Sequence, residues 1–165
     1  MPAVFKNTEN FIKIDKEWLA RLKQEADNSP KHLSRLCMHR DVRDVVQEMV
    51  LAFTRNCLIS PNSAPGKSES LTVVEGEMLL VLFDDNGQVL NRIEMGPVGG
   101  NKVFMYRLCS ASWHTMIPLT DHVIVHECSE GPFVKSIVSL PGWIPAKPEE
   151  LNIFLNQIAL RNVHA

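Results

Sequence analysis

The sequence lacks the features that mark membrane-spanning, secreted and nucleic-acid-binding proteins. No apolar run approaches the ~20 residues that a membrane-spanning helix needs. The first residues, MPAVFKNTENF, lack the charged start and apolar run of a signal peptide, so we expect a cytoplasmic protein. A formal net charge of −2 at pH 7, without any basic cluster, argues against a nucleic-acid or anionic-membrane partner held by bulk electrostatics.

Cysteine pairs, repeats and linkers are also missing. The four cysteines are scattered without a CxxC pair: Cys37, Cys57, Cys109 and Cys128. Reduced, partly buried thiols in a cytosolic protein are therefore expected. Neither an internal repeat nor a low-complexity linker divides the 165 residues, whose length and 45% hydrophobic composition are those of one globular domain with a sizeable core.

The sequence does contain a series of short apolar segments separated by turns. Residues 78–83 are apolar throughout, as in a buried strand, and residues 84–87 predict a hairpin turn because Asn-Gly tolerates positive φ. Alternation of apolar and polar residues predicts a returning strand over residues 89–95. Further strands are predicted at residues 47–53, 70–74, 103–108, 115–119 and 122–127. Many short strands with regular turns predict an all-β barrel or sandwich.

Two segments have helical periodicity instead. Residues 14–26 predict a helix with Asp15 as its N-cap, which should cover a sheet. Near the C-terminus, Pro148 suits a first helical turn, and an apolar stripe follows it: Leu151, Phe154, Leu155, Ile158 and Ala159. The first dozen residues are expected to be loosely held, and the basic segment 31–44 is expected to be mainly a solvated connection.

The segment 61–76 (PNSAPGKSESLTVVEG) carries the most distinctive polar pattern. Because strand residues alternate between faces, Glu69 shares one side of the predicted strand with Leu71 and Val73. A carboxylate on an apolar face is costly unless it is paired or bound to a cation. Glu69 is therefore a candidate functional group.

Two further histidines lie on the predicted strand 122–127. Val123 and Val125 form its more apolar face. We therefore expect His122 and His126, on the opposite face, to point outward.

The spacing in segment 61–76 resembles the first motif of the cupin superfamily, which has two histidines one residue apart, then a glutamate, then a glycine. Glu69 and Gly76 stand at the glutamate and glycine positions, whereas Asn62 and Ala64 stand at the histidine positions. The second cupin motif ends in a histidine, which here is His114. The resemblance implies a double-stranded β-helix (jelly-roll) barrel, and we expect one helix near each end of the chain to pack outside it.

A narrower resemblance is to the WbuC-type cupin-fold metalloproteins, small bacterial proteins often encoded with surface-polysaccharide enzymes. It covers residues 14–146 and rests on these pieces: Ser29-Pro30 with His39, Val46-Gln47, Gly66-Lys67-Ser68-Glu69, Trp113-His114-Thr115, Glu130-Gly131-Pro132-Phe133 and Trp143-Ile144-Pro145. It implies a link to sugar or surface-polysaccharide metabolism. We expect a single domain, with the N-terminal helix and first strands in residues 14–60, the cupin core in 61–140 and the C-terminal helix in 147–163.

The cupin resemblance also implies a divalent-metal site built from three histidines and a glutamate, of which this chain keeps half. Asn62 offers a carbonyl oxygen, a weak ligand for a soft or borderline metal, and Ala64 offers none. Glu69 and His114 then give two protein ligands, against three in typical catalytic zinc sites, unless His39 supplies a third. We expect no cofactor or a weakly bound Zn, Ni, Fe or Mn ion. The alternative is a buried His114 that hydrogen-bonds Glu69 without metal.

Three functions fit these residues. The first is a cupin that binds a small sugar-like molecule and acts on it, with Glu69 as base and His114 as acid or base. Its ligand contacts would be Asn62, Lys67, Tyr106 and Arg107. The second is a non-catalytic binding barrel that has lost its site, and the third is a metalloenzyme rebuilt around Glu69, His114 and His39. We also expect a homodimer, because short cupins commonly pair and the C-terminal stripe could contribute to a two-fold interface.

Overall fold

The computed structural model describes residues 3–134 and 139–160. Within them the elements are, in chain order, β1 (Ala3–Lys6), α1 (Lys16–Asn28), β2 (Leu33–Cys37), β3 (Val46–Thr54), β4 (Glu69–Glu75), β5 (Met78–Phe83), β6 (Val89–Met95), β7 (Met105–Leu108), β8 (Trp113–Pro118), β9 (His122–Glu130) and α2 (Pro148–Leu160). Neither helix of this described part is long and apolar enough to cross a membrane.

Two sheets face each other across the core. The larger has the strand order β1-β2-β3-β9-β4-β7, and the smaller has the order β6-β5-β8. Apolar side chains from both inner faces form one buried cluster, whose largest members include Leu51, Phe53, Leu71, Val73, Met78, Leu80, Met116, Val123 and Val125. The core therefore lies between two sheets, as the jelly-roll prediction requires.

Strand alternation decides which side chains enter the barrel. On β9, Val123 and Val125 are buried in the central core, whereas Ile124 packs on the outer side with α1. His122 and His126 share the outer face with Ile124, and His122 Nε2 lies 2.9 Å from Asp27 of α1. The outward orientation predicted for these two histidines is thus observed, and the next inward position after Val125 belongs to Glu127.

Helix α1 lies over the outer face of the larger sheet, as its periodicity predicts. The Oδ1 atom of Asp15 accepts a hydrogen bond from the backbone N–H of Trp18 (3.2 Å), so Asp15 is the predicted N-cap. Leu22 and Ala26 are fully buried against β2, β3 and β9. The helix ends at Asn28, shortly before Pro30, because the residue preceding a proline avoids the α region.

Helix α2 covers the outer face of the smaller sheet. Its buried residues Leu151, Leu155 and Ile158 pack with Leu79, Val81, Phe83 and Ile117. The predicted stripe is therefore occupied by this chain's own barrel rather than by a second subunit. The homodimer stays a prediction, and this stripe no longer supports it. The predicted helix end at residues 161–163 lies outside the described residues.

The region before β3 is more ordered than the sequence suggests. Residues 3–6 form β1, which pairs in parallel with β2, so the prediction of a loosely held N-terminus was wrong there. Residues 33–37 form β2, which pairs with β3 inside the segment predicted to be a solvated connection. The basic character of that segment hid an alternating strand, LSRLC, with Ser34 and Leu36 facing α1. Arg35 consequently faces the barrel interior.

Candidate functional site

A cavity of about 740 Å³ occupies one end of the barrel. Inner-face side chains of β2, β3, β4, β8 and β9 line it, together with the loop that precedes β4. Much of its wall is apolar: Leu33, Met49, Leu51, Phe53 and Met116. Many polar side chains also line it, and those on the inner strand faces include Glu69, His114, Glu127 and Arg35. A concave site that combines an apolar wall with polar groups on its lining suits a small-molecule ligand.

Glu69 begins strand β4 on the inner face. Leu71 and Val73, which share that face, are 1% and 2% exposed in the core, so the alternation carries Glu69 into the barrel. Its side chain keeps 21% exposure because it lies where the core meets the cavity. This position agrees with the sequence analysis, which placed the Glu69 carboxylate on the apolar face of the strand and expected it to have a partner.

His114 is that partner. Its Nε2 lies 3.0 Å from Oε1 of Glu69, and its side chain is only 6% exposed. Its Nδ1 lies 2.9 Å from the carbonyl oxygen of Ser112. A carbonyl oxygen only accepts, so Nδ1 must carry a proton, and a second proton must then lie between Nε2 and the Glu69 carboxylate. The arrangement therefore fits an imidazolium paired with a carboxylate.

The pKa shifts of the two groups agree with this ion pair. Burial by itself raises the pKa of Glu69, but the hydrogen bond and the charge of His114 and the hydrogen bond of Tyr106 together outweigh it and leave the pKa below its ordinary 4.5. Burial likewise lowers the pKa of His114, but the hydrogen bond to Glu69, the charge of Glu69, the bond to the Ser112 carbonyl oxygen and the charge of Glu127 together outweigh it and leave the pKa above its ordinary 6.5. Both shifts favour the charged forms of the pair.

Tyr106 supports Glu69 from the neighbouring strand β7. Its hydroxyl donates a hydrogen bond of 3.0 Å to the same oxygen, Glu69 Oε1. Burial, and then the nearby Glu69 charge, raise the pKa of Tyr106 well above 10, so the hydroxyl keeps its proton. Tyr106 is not among the described side chains that line the cavity. The contact that the structure shows for Tyr106 is with Glu69, which it orients, and its direct contact with a ligand stays a prediction.

The loop before β4 carries Asn62 and Ala64, which stand where the cupin motif has histidines, and it lies beside His114. Backbone hydrogen bonds join Asn62 N to His114 O (3.0 Å) and His114 N to Asn62 O (3.1 Å). Asn62 and Ala64 both line the cavity beside Glu69. The side-chain amide of Asn62 donates to the carbonyl oxygen of Ser60 (3.2 Å), which leaves its own carbonyl oxygen available to a ligand.

The donor set does not fit a tightly held divalent metal. Glu69 and His114 are bonded to each other, and the described residues contain no group of three His, Cys, Asp or Glu side chains placed to hold an ion. His39 lines the same cavity, and its Nδ1 lies 3.0 Å from the backbone carbonyl oxygen of Glu48. Because no such group of three is present in the described part of the chain, His39 is not brought together with Glu69 and His114 as a third ligand.

Of the two predicted cationic contacts, Lys67 lies on the same cavity lining as Glu69 and His114, whereas Arg107 lies outside it. Lys67 lines the cavity, but its Nζ donates to the backbone carbonyl oxygens of Glu130 (2.9 Å) and Pro132 (2.7 Å). Arg107 is exposed and donates to the hydroxyls of Ser70 (3.1 Å) and Ser68 (2.8 Å). Because β7 alternates, Arg107 points away from the face that carries Tyr106. The bonds of Lys67 to Glu130 and Pro132, in contrast, tether the loop that follows β9.

Two inward polar residues were missed by the sequence reasoning. Glu127 follows Val123 and Val125 at a spacing of two, so the alternation itself could have placed it inside. Burial, followed by the charge of Glu69, raises the pKa of Glu127 to about 7. Arg35 was hidden because β2 was not predicted, and its Nε is buried with no hydrogen-bond partner among residues 3–134 and 139–160.

Comparisons with known proteins bear on the fold. The family described as a domain of unknown function (DUF6016) matches residues 14–95. No curated protein matches the chain. Among solved structures, protein SO0799 from Shewanella oneidensis aligns with a TM-score of 0.55 and 7% identity, over 76% of this chain and 82% of that one. An oxalate oxidase in complex with the substrate analogue glycolate aligns with a TM-score of 0.52 and 11% identity, over 81% and 76%.

The chain has a cupin-type jelly-roll fold. The predicted fold class, with helices packed outside the barrel, is thereby confirmed. CapF, solved with the inhibitor 3-isopropenyl-tropolone, also aligns, with a TM-score of 0.50 and 16% identity over 66% of this chain and 31% of that one. The chain spans only 23% of a procruciferin and 43% of a DMSP lyase chain that it also matches. At these identities the likeness is one of fold.

Proposed function

We propose that this cupin binds a small sugar-like molecule in the barrel cavity and transfers protons on it without a tightly bound metal. One observation carries the proposal: an imidazole and a tyrosine hydroxyl both contact Oε1 of Glu69, at 3.0 Å each, on the wall of a cavity of about 740 Å³. The link to sugar or surface-polysaccharide metabolism comes from the WbuC-type resemblance and is part of the proposal.

The chemistry follows from the protonation state of the pair. His114 carries a proton that it can give to a ligand oxygen, and Glu69 can accept one from a carbon or hydroxyl beside it. Both steps together move a proton from one ligand atom to another, as sugar isomerisation or epimerisation requires. Tyr106 fixes the carboxylate by a bond that does not involve the ligand, so Glu69 keeps its orientation when a ligand displaces His114.

A ligand screen by thermal unfolding tests the binding half of the proposal. Neutral sugars, sugar acids and nucleotide sugars are added to the wild type, and a ligand that binds the folded state raises the melting temperature. Glu69→Gln and His114→Gln should weaken binding of any hit by roughly tenfold to a hundredfold, because each removes a charged hydrogen-bonding group. His122→Gln is the matched control, since His122 lies on the outer face and should leave binding unchanged.

Deuterium exchange tests the chemical half. The protein is incubated in D₂O with the hit from the screen, and proton NMR follows exchange at carbons next to a carbonyl group. The proposal expects exchange with the wild type and none with Glu69→Gln. Binding that depends on Glu69 and His114 without any exchange would instead favour a non-catalytic binding barrel. Binding that is insensitive to both variants would contradict the site itself.

A further inference from the structure

An arginine with an unsatisfied donor stands on the inner wall of the cavity. Arg35 lies on β2 between Leu33 and Cys37, and all three line the cavity. Ser34 and Leu36 face the other way: the Ser34 hydroxyl donates to the carbonyl oxygen of Leu22 (2.6 Å), and Leu36 packs with α1. The alternation of β2 therefore commits the Arg35 guanidinium to the barrel interior.

No acidic side chain of the described residues forms an ion pair with Arg35. Its Nε is buried and has no hydrogen-bond partner among them, and none of their ion pairs includes Arg35. Four acidic residues line the cavity, and three of them have other partners: Glu69 is bonded to His114, Asp41 to Arg43, and Glu130 accepts from the backbone N–H of Ser68. The fourth, Glu127, lies close enough for the charge of Arg35 to lower its pKa, but the two form no ion pair, and burial holds the pKa of Glu127 at about 7. A guanidinium that has a buried, unbonded Nε and no ion-pair partner is costly, so Arg35 is poised for an anion from outside the chain.

Glu127 lies between Arg35 and the Glu69 cluster on the inner face. Strand pairing gives their separation. Glu69 pairs with Ser129 on β9, and Arg35 pairs with Leu51 on β3, which in turn pairs with Val125 on β9. Ser129 and Val125 are four residues apart, so the backbone positions of Glu69 and Arg35 are offset by on the order of 13 Å along the strand direction. A backbone separation of this size favours an elongated ligand, about the length of a disaccharide, for contact with both Arg35 and Glu69.

We propose that Arg35 anchors the carboxylate of an elongated sugar acid whose other end lies at Glu69 and His114. This inference rests on the proposed function and names the ligand class of the same site. The planar guanidinium offers paired N–H donors that match a carboxylate in a bidentate contact, which a lysine ammonium cannot reproduce. The apolar wall formed by Leu33, Leu51 and Phe53 suits the carbon faces of sugar rings.

Lactobionate and lactitol are the matched probes, because they differ only by a carboxylate in place of a CH₂OH group. Calorimetry should show lactobionate binding to the wild type roughly tenfold to a hundredfold more tightly than lactitol. Arg35→Gln should remove that preference, and Arg35→Lys should restore only part of it. Arg107→Gln should leave it unchanged, because Arg107 is exposed and lies outside the cavity lining. Melting curves establish that each variant is folded.

Equal affinity of the wild type for lactobionate and lactitol would overturn the inference, and this measurement requires no variant. If that equal binding still depends on Glu69 and His114, the proposed function stands while the Arg35 anchor fails. Binding of inorganic phosphate but not of lactobionate would also overturn the carboxylate assignment. Binding of neither probe would overturn the inference, and the wider ligand screen would then decide the proposed function separately.

Discussion

His114 Nε2 lies 3.0 Å from Oε1 of Glu69, and the other ring nitrogen of His114 lies 2.9 Å from the carbonyl oxygen of Ser112. The two contacts place one proton on Nδ1 and a second between Nε2 and the carboxylate, and the raised pKa of His114 and lowered pKa of Glu69 favour an imidazolium paired with a carboxylate. In the cupin motif that this sequence resembles, the corresponding glutamate and histidine hold a metal ion. Here Glu69 and His114 are bonded to each other, so each polar group has a partner without an ion.

The ion pair predicts a defined pH window for its contribution to stability. The lowered pKa of Glu69 stabilises the fold above pH 4.5, and this contribution is lost as the pH falls through the folded pKa. The raised pKa of His114 stabilises the fold below pH 6.5, and this contribution is lost as the pH rises through its folded pKa. Glu69→Gln should therefore lower the free energy of unfolding by about 1–3 kcal/mol near pH 5.5, and by less at pH 9.

Glu48→Gln is the control for that measurement. Glu48 Oε1 lies 2.9 Å from His126 Nε2, so the chemistry is the same, but both side chains are more than a third exposed. An exposed pair contributes about 0–1 kcal/mol. Urea unfolding of the two variants across pH should separate them, and equal losses at pH 5.5 would contradict the account of the buried pair.

Glu127 predicts a pH dependence opposite to that of Glu69. Its folded pKa of about 7 lies above its ordinary 4.5, so the folded state holds this proton more tightly than the unfolded state does. The stability of the wild type should fall as the pH rises from 4.5 to about 7. Glu127→Gln removes this loss and should be more stable than the wild type at pH 8, by up to about 3 kcal/mol. Parallel stability profiles of the two proteins would contradict a raised pKa of Glu127 in the folded state.

Ligand counting predicts weak metal binding. Two protein ligands are too few for a stable site, so purified protein should carry substoichiometric metal, and a chelator should barely change its melting temperature. Asn62→His with Ala64→His should restore binding, because both positions line the cavity beside Glu69 and His114. Elemental analysis by mass spectrometry measures the metal content.

The matched control for the metal experiment is the same double variant with Glu69→Gln, which should lose the gained metal. Stoichiometric, chelator-resistant metal in the wild type would contradict the account and would point to another ligand. A double variant that stays metal-free would show that the loop no longer has the cupin geometry.

The sequence predicted the barrel and part of its site, because those features depend on local alternation. Strand β5 and the inward position of Glu69 follow from the spacing of apolar residues, and the cupin motif pairs Glu69 with His114. Strand β2 was missed because its basic residues resemble a solvated segment, and only pairing with β3 makes it a strand. Lys67 and Arg107 were predicted as ligand contacts from their charge alone. Charge does not reveal that Lys67 donates to backbone carbonyl oxygens and that Arg107 donates to serine hydroxyls.

The protonation state of His114 tests the central claim most directly. Nitrogen-15 NMR of the imidazole reports whether each ring nitrogen carries a proton, and a pH titration gives the pKa. The account predicts protons on both nitrogens at pH 6.5 and a pKa above the ordinary 6.5, which should fall when Glu69→Gln is introduced. An imidazole that is neutral at pH 6, or a pKa that the Glu69 variant leaves unchanged, would contradict it.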